Sequence, residues 1–144
     1  MSEQDDRRTH PRVDAHLVVR SRLLDPSELP ILASSLGRPD PPIPQLNMVR
    51  SGARVTQLAA VNLSLGGLST GGDLEIDSEK GYPKGADVVV EFELNDGEAP
   101  VRAVAQVMWN TSSDGRHLMG LMFLLISDSA FMRIQDFVHK NLVP

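Results

Sequence analysis

The sequence predicts an all-β domain closed by one C-terminal helix. Three observations carry that prediction. Short runs of strand formers recur along the chain, Gly, Pro, Asn and Asp punctuate them, and apolar residues fall into helical spacing only near the C-terminus. At 144 residues there is room for one ordinary domain and not for two.

Residues 1–12 read as a flexible charged arm. From Val13 to Leu24 strand formers dominate, with Arg20 and Arg22 alternating among them. Asp25-Pro26-Ser27-Glu28 is a helix start: Asp25 caps, Pro26 fits the first helical position and Glu28 stands at the capping-box position. A short helix to about Leu36, stopped by Gly37, is expected. Arg38 to Gln45 carries Pro39, Pro41, Pro42 and Pro44, so it is expected to run extended on the surface.

Strand-like segments follow at Val55–Val61, Leu68–Thr70, Asp87–Leu94, Val101–Trp109 and Leu118–Ile126. Glu75, Asp77, Glu79 and Lys80 suit a solvated loop. Asn95-Asp96-Gly97 is a hairpin signal because Asp-Gly tolerates positive φ, and Ser112-Ser113-Asp114-Gly115 reads as another turn. Short strands joined by such turns indicate an antiparallel barrel or sandwich. Ser127-Asp128 can cap a helix carrying Phe131, Ile134, Phe137 or Val138, and Leu142 at helical spacing. Met108, Met119, Met122 and Phe123 are expected in the core, and the phenylalanines in general look buried.

Composition narrows function. There is no cysteine, so disulfides and thiolate metal sites are excluded. His10, His16, His117 and His139 lack metal-site spacing, which speaks against zinc. No apolar stretch of signal-peptide character follows the polar start. The longest apolar run, Leu118 to Ile126, is far below the roughly twenty residues that span a bilayer. A cytoplasmic location and no membrane partner are expected. The formal net charge is −5, yet Arg7, Arg8 and Arg12 make the first segment locally basic. A basic arm on an acidic body points to a specific anion site, not to general nucleic-acid binding.

Two segments carry chemistry. Arg7-Arg8-Thr9-His10-Pro11-Arg12 has the spacing R-x-x-x-R, and Asn62-Leu63-Ser64-Leu65-Gly66-Gly67 reads as a polar turn of the form [D/N]-x-S-x-x-G. An arginine fork can bond O6 and N7 of guanine, clamp a phosphate or stack on a purine, whereas lysine serves well only as a phosphate charge. Asn62 offers an acceptor and donors, Ser64 a hydroxyl, and Gly66 and Gly67 a backbone able to turn and approach a flat ligand. Taken singly, such an arm is commonly a solvated tail and such a glycine pair a plain turn. Their order, with strands between and a helix at the end, gives the combination its meaning.

That combination resembles the PilZ domain, a bacterial receptor family for cyclic di-GMP, over roughly Arg7 to Leu142. Trp109 and Gly120-Leu121-Met122-Phe123 resemble the family's later strands. The resemblance implies a six-stranded antiparallel β-barrel with a terminal α-helix, no enzymatic activity and signalling to a protein partner in motility or surface behaviour. It implies ligand contacts from Arg8, Arg12, Asn62, Ser64 and Gly67, with Gly66 beside them. Arg7, just before the motif, implies a stacked pair of cyclic di-GMP molecules per chain. Asn62 departs from the aspartate many members carry, which weakens a two-bond contact to guanine. A helix and Pro-rich insertion at about 25–52, after the first strand, exceeds the usual connection. The chain thus divides into an arm, 1–12, and a barrel domain, 13–144. The competing readings are weaker. Ser64 lacks the leading glycine of a hydrolase elbow, because Asn62 stands there, and no phosphate-loop fingerprint is present. A PilZ-like interaction module without nucleotide binding is the alternative.

Overall fold

Alternation along each strand sets which side chains fill the interior. In the computed structural model, which describes residues 12–28, 30, 55–71, 82–95, 97–113 and 116–142, six strands form. They are β1 (Val13–Leu23), β2 (Thr56–Ser64), β3 (Gly67–Thr70), β4 (Asp87–Phe92), β5 (Val101–Ser113) and β6 (Arg116–Ile126). They close a barrel in the order β1-β2-β3-β6-β5-β4, and every neighbouring pair is antiparallel. Closure leaves no unpaired sheet edge. This is the six-stranded barrel that the resemblance implied. Among the described residues no helix is long and apolar enough to cross a membrane.

The interior is aliphatic. Val13, Ala15 and Val19 of β1, Leu58, Ala60 and Leu63 of β2, and Val101, Ala103, Ala105 and Val107 of β5 are buried at every second position or nearly so. Phe92 stacks on Phe123 with centroids 6.3 Å apart and planes at 15°, a geometry that adds about 1 kcal/mol beyond area burial. The β-branched residues Val88, Val89 and Val90 suit the pleat of β4 and are fully buried.

The terminal helix, α1 (Asp128–Leu142), starts where its sequence signal stands. Ser127 Oγ accepts a hydrogen bond from Ala130 N (3.2 Å), and Asp128 supplies negative charge to the first turn. Ala130, Ile134 and Val138 are the buried stripe, so Val138 and not Phe137 is the deeper of the two candidates. Phe123, Phe131 and Phe137 are only partly buried, contrary to the expectation for the phenylalanines, and Leu142 is exposed.

Strand boundaries depart from expectation in two places. Pairing in β5–β6 continues through Ser112↔His117 and Ser113↔Arg116, so Ser112 and Ser113 belong to the strand and not to the turn. β2 likewise runs through Asn62 and Ser64 and leaves only Leu65 and Gly66 as turn. Leu63 is fully buried between them, and that buried side chain keeps the strand going. At the β4–β5 connection, Gly97 has φ of 84°, as the Asp-Gly signal requires.

Arg22 is the larger surprise. Its place among apolar residues marks an outward position, yet it is fully buried, while Leu23 is 50% exposed. The segment after β1 covers it. Asp25-Pro26-Ser27-Glu28 forms the expected cap around a 3-10 turn (Pro26–Glu28), with Asp25 N donating to Glu28 Oε1 (2.9 Å) and Ser27 N to Asp25 Oδ1 (2.8 Å). The same Glu28 carboxylate receives Arg22 Nη1 (2.8 Å) and Nη2 (2.9 Å) in a two-bond fork. The helix expected to reach Leu36, the Pro-rich stretch to Gln45, most of the insertion at 25–52, the loop at 75–80 and Arg7 and Arg8 lie outside the described residues.

Breaking a buried ion pair leaves the other charge stranded. Arg22→Ala is expected to lower unfolding free energy by about 3–5 kcal/mol, read from urea denaturation. A loss below about 1 kcal/mol would show that the pair is solvated in solution.

Candidate functional site: a cavity on the outer wall of the barrel

The β1–β2 register places the first candidate. Val13 pairs with Leu63 and Asp14 with Asn62. One step further back along β1, Arg12 therefore comes abreast of Ser64, across fifty residues of sequence. Arg12 and the turn after β2 line one cavity of about 640 Å³, a size suited to a nucleotide-scale ligand. Asn62, Ser64, Gly66 and Gly67 all line it. Five of the seven expected site residues are thus brought together, and Arg7 and Arg8 fall outside the described residues.

The electrostatics are one-sided. Among its described lining residues Arg12 is the only formal charge, and no carboxylate is present. In a protein of net charge −5 this is a local cationic spot. Among the described residues the side chains of Arg12 and Asn62 have no hydrogen-bond partner. Arg20 and Arg102 differ: both bind the buried carboxylate of Glu91, Arg102 through Nε at 3.0 Å. Their charge is already engaged, so they make a poor second anion site.

Ser64 and the glycines play parts that the motif alone does not disclose. Ser64 Oγ accepts a hydrogen bond from Gly66 N (3.1 Å) and donates a long one to Gly67 O (3.4 Å). Its hydroxyl therefore organises the turn, whatever else it touches. Neither Gly66 nor Gly67 has positive φ; among the described glycines only Gly85 and Gly97 do. Gly66 lies in the turn, as expected of the pair, whereas Gly67 already belongs to β3. Gly67 pairs with Met122, and a Cβ on Gly67 would stand 1.9 Å from the Leu121 carbonyl oxygen. Its lack of a side chain lets β3 approach β6.

Two expected core residues line the cavity instead. Met108 is 41% and Met122 39% exposed, and only Met119 of the three methionines is buried. Phe123, partly buried, reaches both the core and the cavity. Alternation after the buried Val107 already turns Met108 outward. The residue after it follows a bulge: Val107 pairs with Leu121 and Trp109 with Gly120, so Met108 and Trp109 together oppose one residue. Both adjacent side chains then reach the outer wall. Simple alternation would have buried Trp109, which is 41% exposed. Trp109 is the cavity residue that sequence reasoning missed. Its adjacency to Met108 in an otherwise alternating strand was the available signal.

The model of the family described as PilZ domain matches residues 38–140. The chain belongs to the PilZ domain family. The matched region contains the Asn62–Gly67 motif and leaves out the arginine segment. By fold the chain is similar to the PilZ domain of YcgR from Escherichia coli, in a structure with c-di-GMP. That likeness has a TM-score of 0.60 at 12% identity and covers 94% of this chain and 92% of that one. It is also similar to the Bacillus subtilis inhibitor of motility MotI/DgrA (TM-score 0.62, 14% identity, 95% of this chain and 51% of that one). A third likeness is to K. pneumonia MrkH in its c-di-GMP complex (TM-score 0.58, 12% identity, 95% and 52%). The chain thus spans about half the length of the MotI and MrkH chains. Compared by sequence with curated proteins, it finds no match.

The close approach at Gly67 and the turn bonds of Ser64 make separable claims about ligand-free stability. Gly67→Val is expected to cost at least about 2 kcal/mol, because backbone and not a flexible side chain must give way. Ser64→Ala is expected to cost about 1 kcal/mol. Urea denaturation measures both. Gly67→Val with parental stability would remove the steric account, and an unchanged Ser64→Ala would release the hydroxyl for ligand contact alone.

Proposed function

We propose that this protein is a cyclic di-GMP receptor whose arginine arm and β2–β3 turn hold the ligand between them. The observation that supports it most is the meeting of Arg12 with Asn62, Ser64, Gly66 and Gly67 around one cavity with no carboxylate among its described lining residues. Family membership gives the reading its ligand, and the YcgR and MrkH structures with c-di-GMP share the fold. Each contact has a chemical reason. Arg12, with Arg8 four positions before it in sequence, suits a phosphate or a guanine Hoogsteen edge. The Asn62 amide offers an acceptor and donors to a second base edge.

Arg7 adds a third guanidinium to the arm. A stacked pair of ligands places more phosphates and guanine edges within reach of three arginines than one molecule does. The reading therefore assigns two cyclic di-GMP molecules per chain, with Arg7 supporting the second. It assigns no catalysis, a cytoplasmic location and an output through a protein partner. Ligand binding draws the arm onto the barrel and changes the surface offered to that partner. Motility is the favoured output, given that MotI is an inhibitor of motility.

Calorimetric titration with cyclic di-GMP tests the reading. Arg12→Ala is expected to lose about 2 kcal/mol of binding, the scale of a charge-assisted contact, while the ligand-free melting temperature hardly moves. Parental affinity in Arg12→Ala would refute the assignment. A parent that takes up no ligand would leave the interaction-module alternative. Stoichiometry is expected to fall from two to one in Arg7→Leu; a parent saturating at one ligand would remove the stacked pair, and two ligands in Arg7→Leu would remove the role of Arg7.

A further inference from the structure

Six methionines stand in the chain, and Met108 and Met122 line the same cavity. Met122 lies on β6 between Gly67 of β3 and Gln106 of β5. Gly67 has no side chain, so one flank of Met122 is left bare. Met108 stands two positions beyond Gln106 on β5, which makes it a diagonal neighbour of Met122 on the outer wall. Diagonal neighbours lie about 7–8 Å apart, within reach of long side chains. Met108 is 41% and Met122 39% exposed. Two other methionines bracket them. Met119 of β6 is fully buried in the core, and Met132 of α1 is 61% exposed and is not among the described lining residues of the cavity.

Apolar side chains scattered singly on a surface need no explanation. Two adjacent thioethers on the wall of a cavity that also carries Arg12 and Asn62 are different, because their chemical state decides what a ligand meets there. A thioether is soft and polarisable and packs readily against an aromatic ring. It is also a nucleophile towards peroxide. The sulfur lone pair attacks one peroxide oxygen, and the S–O bond forms as the O–O bond breaks. Sulfur is oxidised by two electrons. The departing hydroxide takes the proton of the transferred oxygen and leaves as water. The product is a polar, chiral sulfoxide, which methionine sulfoxide reductases return to the thioether. A sulfoxide on this wall presents a dipole that a docking base would have to strip of water.

We propose that Met108 and Met122 form a reversible oxidation site, at which peroxide converts the thioethers to sulfoxides and weakens nucleotide binding in the cavity they line. The proposal rests on the receptor reading above for its ligand, and adds to it a covalent modification at residues outside its two motifs. The modification and the ligand compete for one surface: a bound nucleotide covers the sulfurs, and oxidised sulfurs disfavour the nucleotide. Met119 is closed to peroxide by the core, and Met132 is open to it whether or not the cavity is filled.

Treatment of the whole protein with hydrogen peroxide, followed by peptide mass spectrometry and by calorimetric titration with cyclic di-GMP, tests it. Met108 and Met122 are expected to gain oxygen well before Met119. Saturating cyclic di-GMP is expected to slow oxidation at Met108 and Met122 and to leave Met132 unprotected. The oxidised protein is expected to bind about 10-fold weaker, on the scale of one dipole desolvated without a partner, and treatment with a sulfoxide reductase to restore the affinity. The double variant Met108→Leu, Met122→Leu is expected to lose no affinity on peroxide treatment, measured against its own untreated form. Melting curves check that it folds; if it does not, ligand protection and reductase rescue decide. Unchanged affinity in protein oxidised at both positions would overturn the proposal and leave the receptor reading standing. A peroxide effect that persists in the double variant would overturn it too, and so would Met108 and Met122 reacting no faster than Met119. No heat from the untreated parent would overturn the receptor reading, and this proposal with it.

Discussion

The constraint on which the candidate site depends is the antiparallel register of β1 on β2. It pairs Val13 with Leu63 and Asp14 with Asn62, and so delivers Arg12 to the strand end that carries Ser64. A slip of one residue would turn Leu63, fully buried, to the outside. The core therefore enforces the register, and the register brings Arg12 to the cavity that Asn62 and Ser64 line. The more than thirty residues between the two strands add little to the closure cost, because loop entropy grows only with the logarithm of length. The buried pair of Arg22 and Glu28 ties the beginning of that connection to the far end of β1.

Burial on this barrel follows two different rules. Inside, alternation and volume decide, and Val19, Leu63, Val88 and Met119 obey them. Outside, burial depends on what else covers the wall. Arg22 is buried because the 3-10 turn folds back with a carboxylate to meet it, whereas Met108 and Met122 stay exposed on the wall of a cavity. The same wall carries charge in two forms. Glu91 engages Arg20 and Arg102, and Arg12 stands beside a cavity with no carboxylate among its described lining residues.

These rules explain what could be read from the sequence. Six strands and the terminal helix were legible because period-two alternation, the Asp-Gly turn and the Ser127 cap are local signals. The candidate site was legible in the spacing of Arg12, Asn62, Ser64 and Gly67, since those residue types suit a guanine nucleotide. What escaped was non-local. The bulge that exposes Trp109 is a property of β5 paired with β6, not of β5 alone. The need for glycine at 67 comes from the Leu121 carbonyl on another strand. The burial of Arg22 comes from Glu28 closing over it. The engagement of the Ser64 hydroxyl within its own turn was hidden because donor and acceptor chemistry is the same for a turn as for a ligand.

The central claim is that arm, turn and β5–β6 wall are one ligand site. Amide and indole NMR shifts during titration with cyclic di-GMP test it most directly, because they locate the ligand without any substitution. The account predicts that the largest changes cluster at Arg12, at the backbone from Asn62 to Ser69, at Met122 and at the single indole N–H of Trp109. Saturating ligand that leaves those signals in place, or shifts confined to β4 and the exposed end of α1, would contradict it.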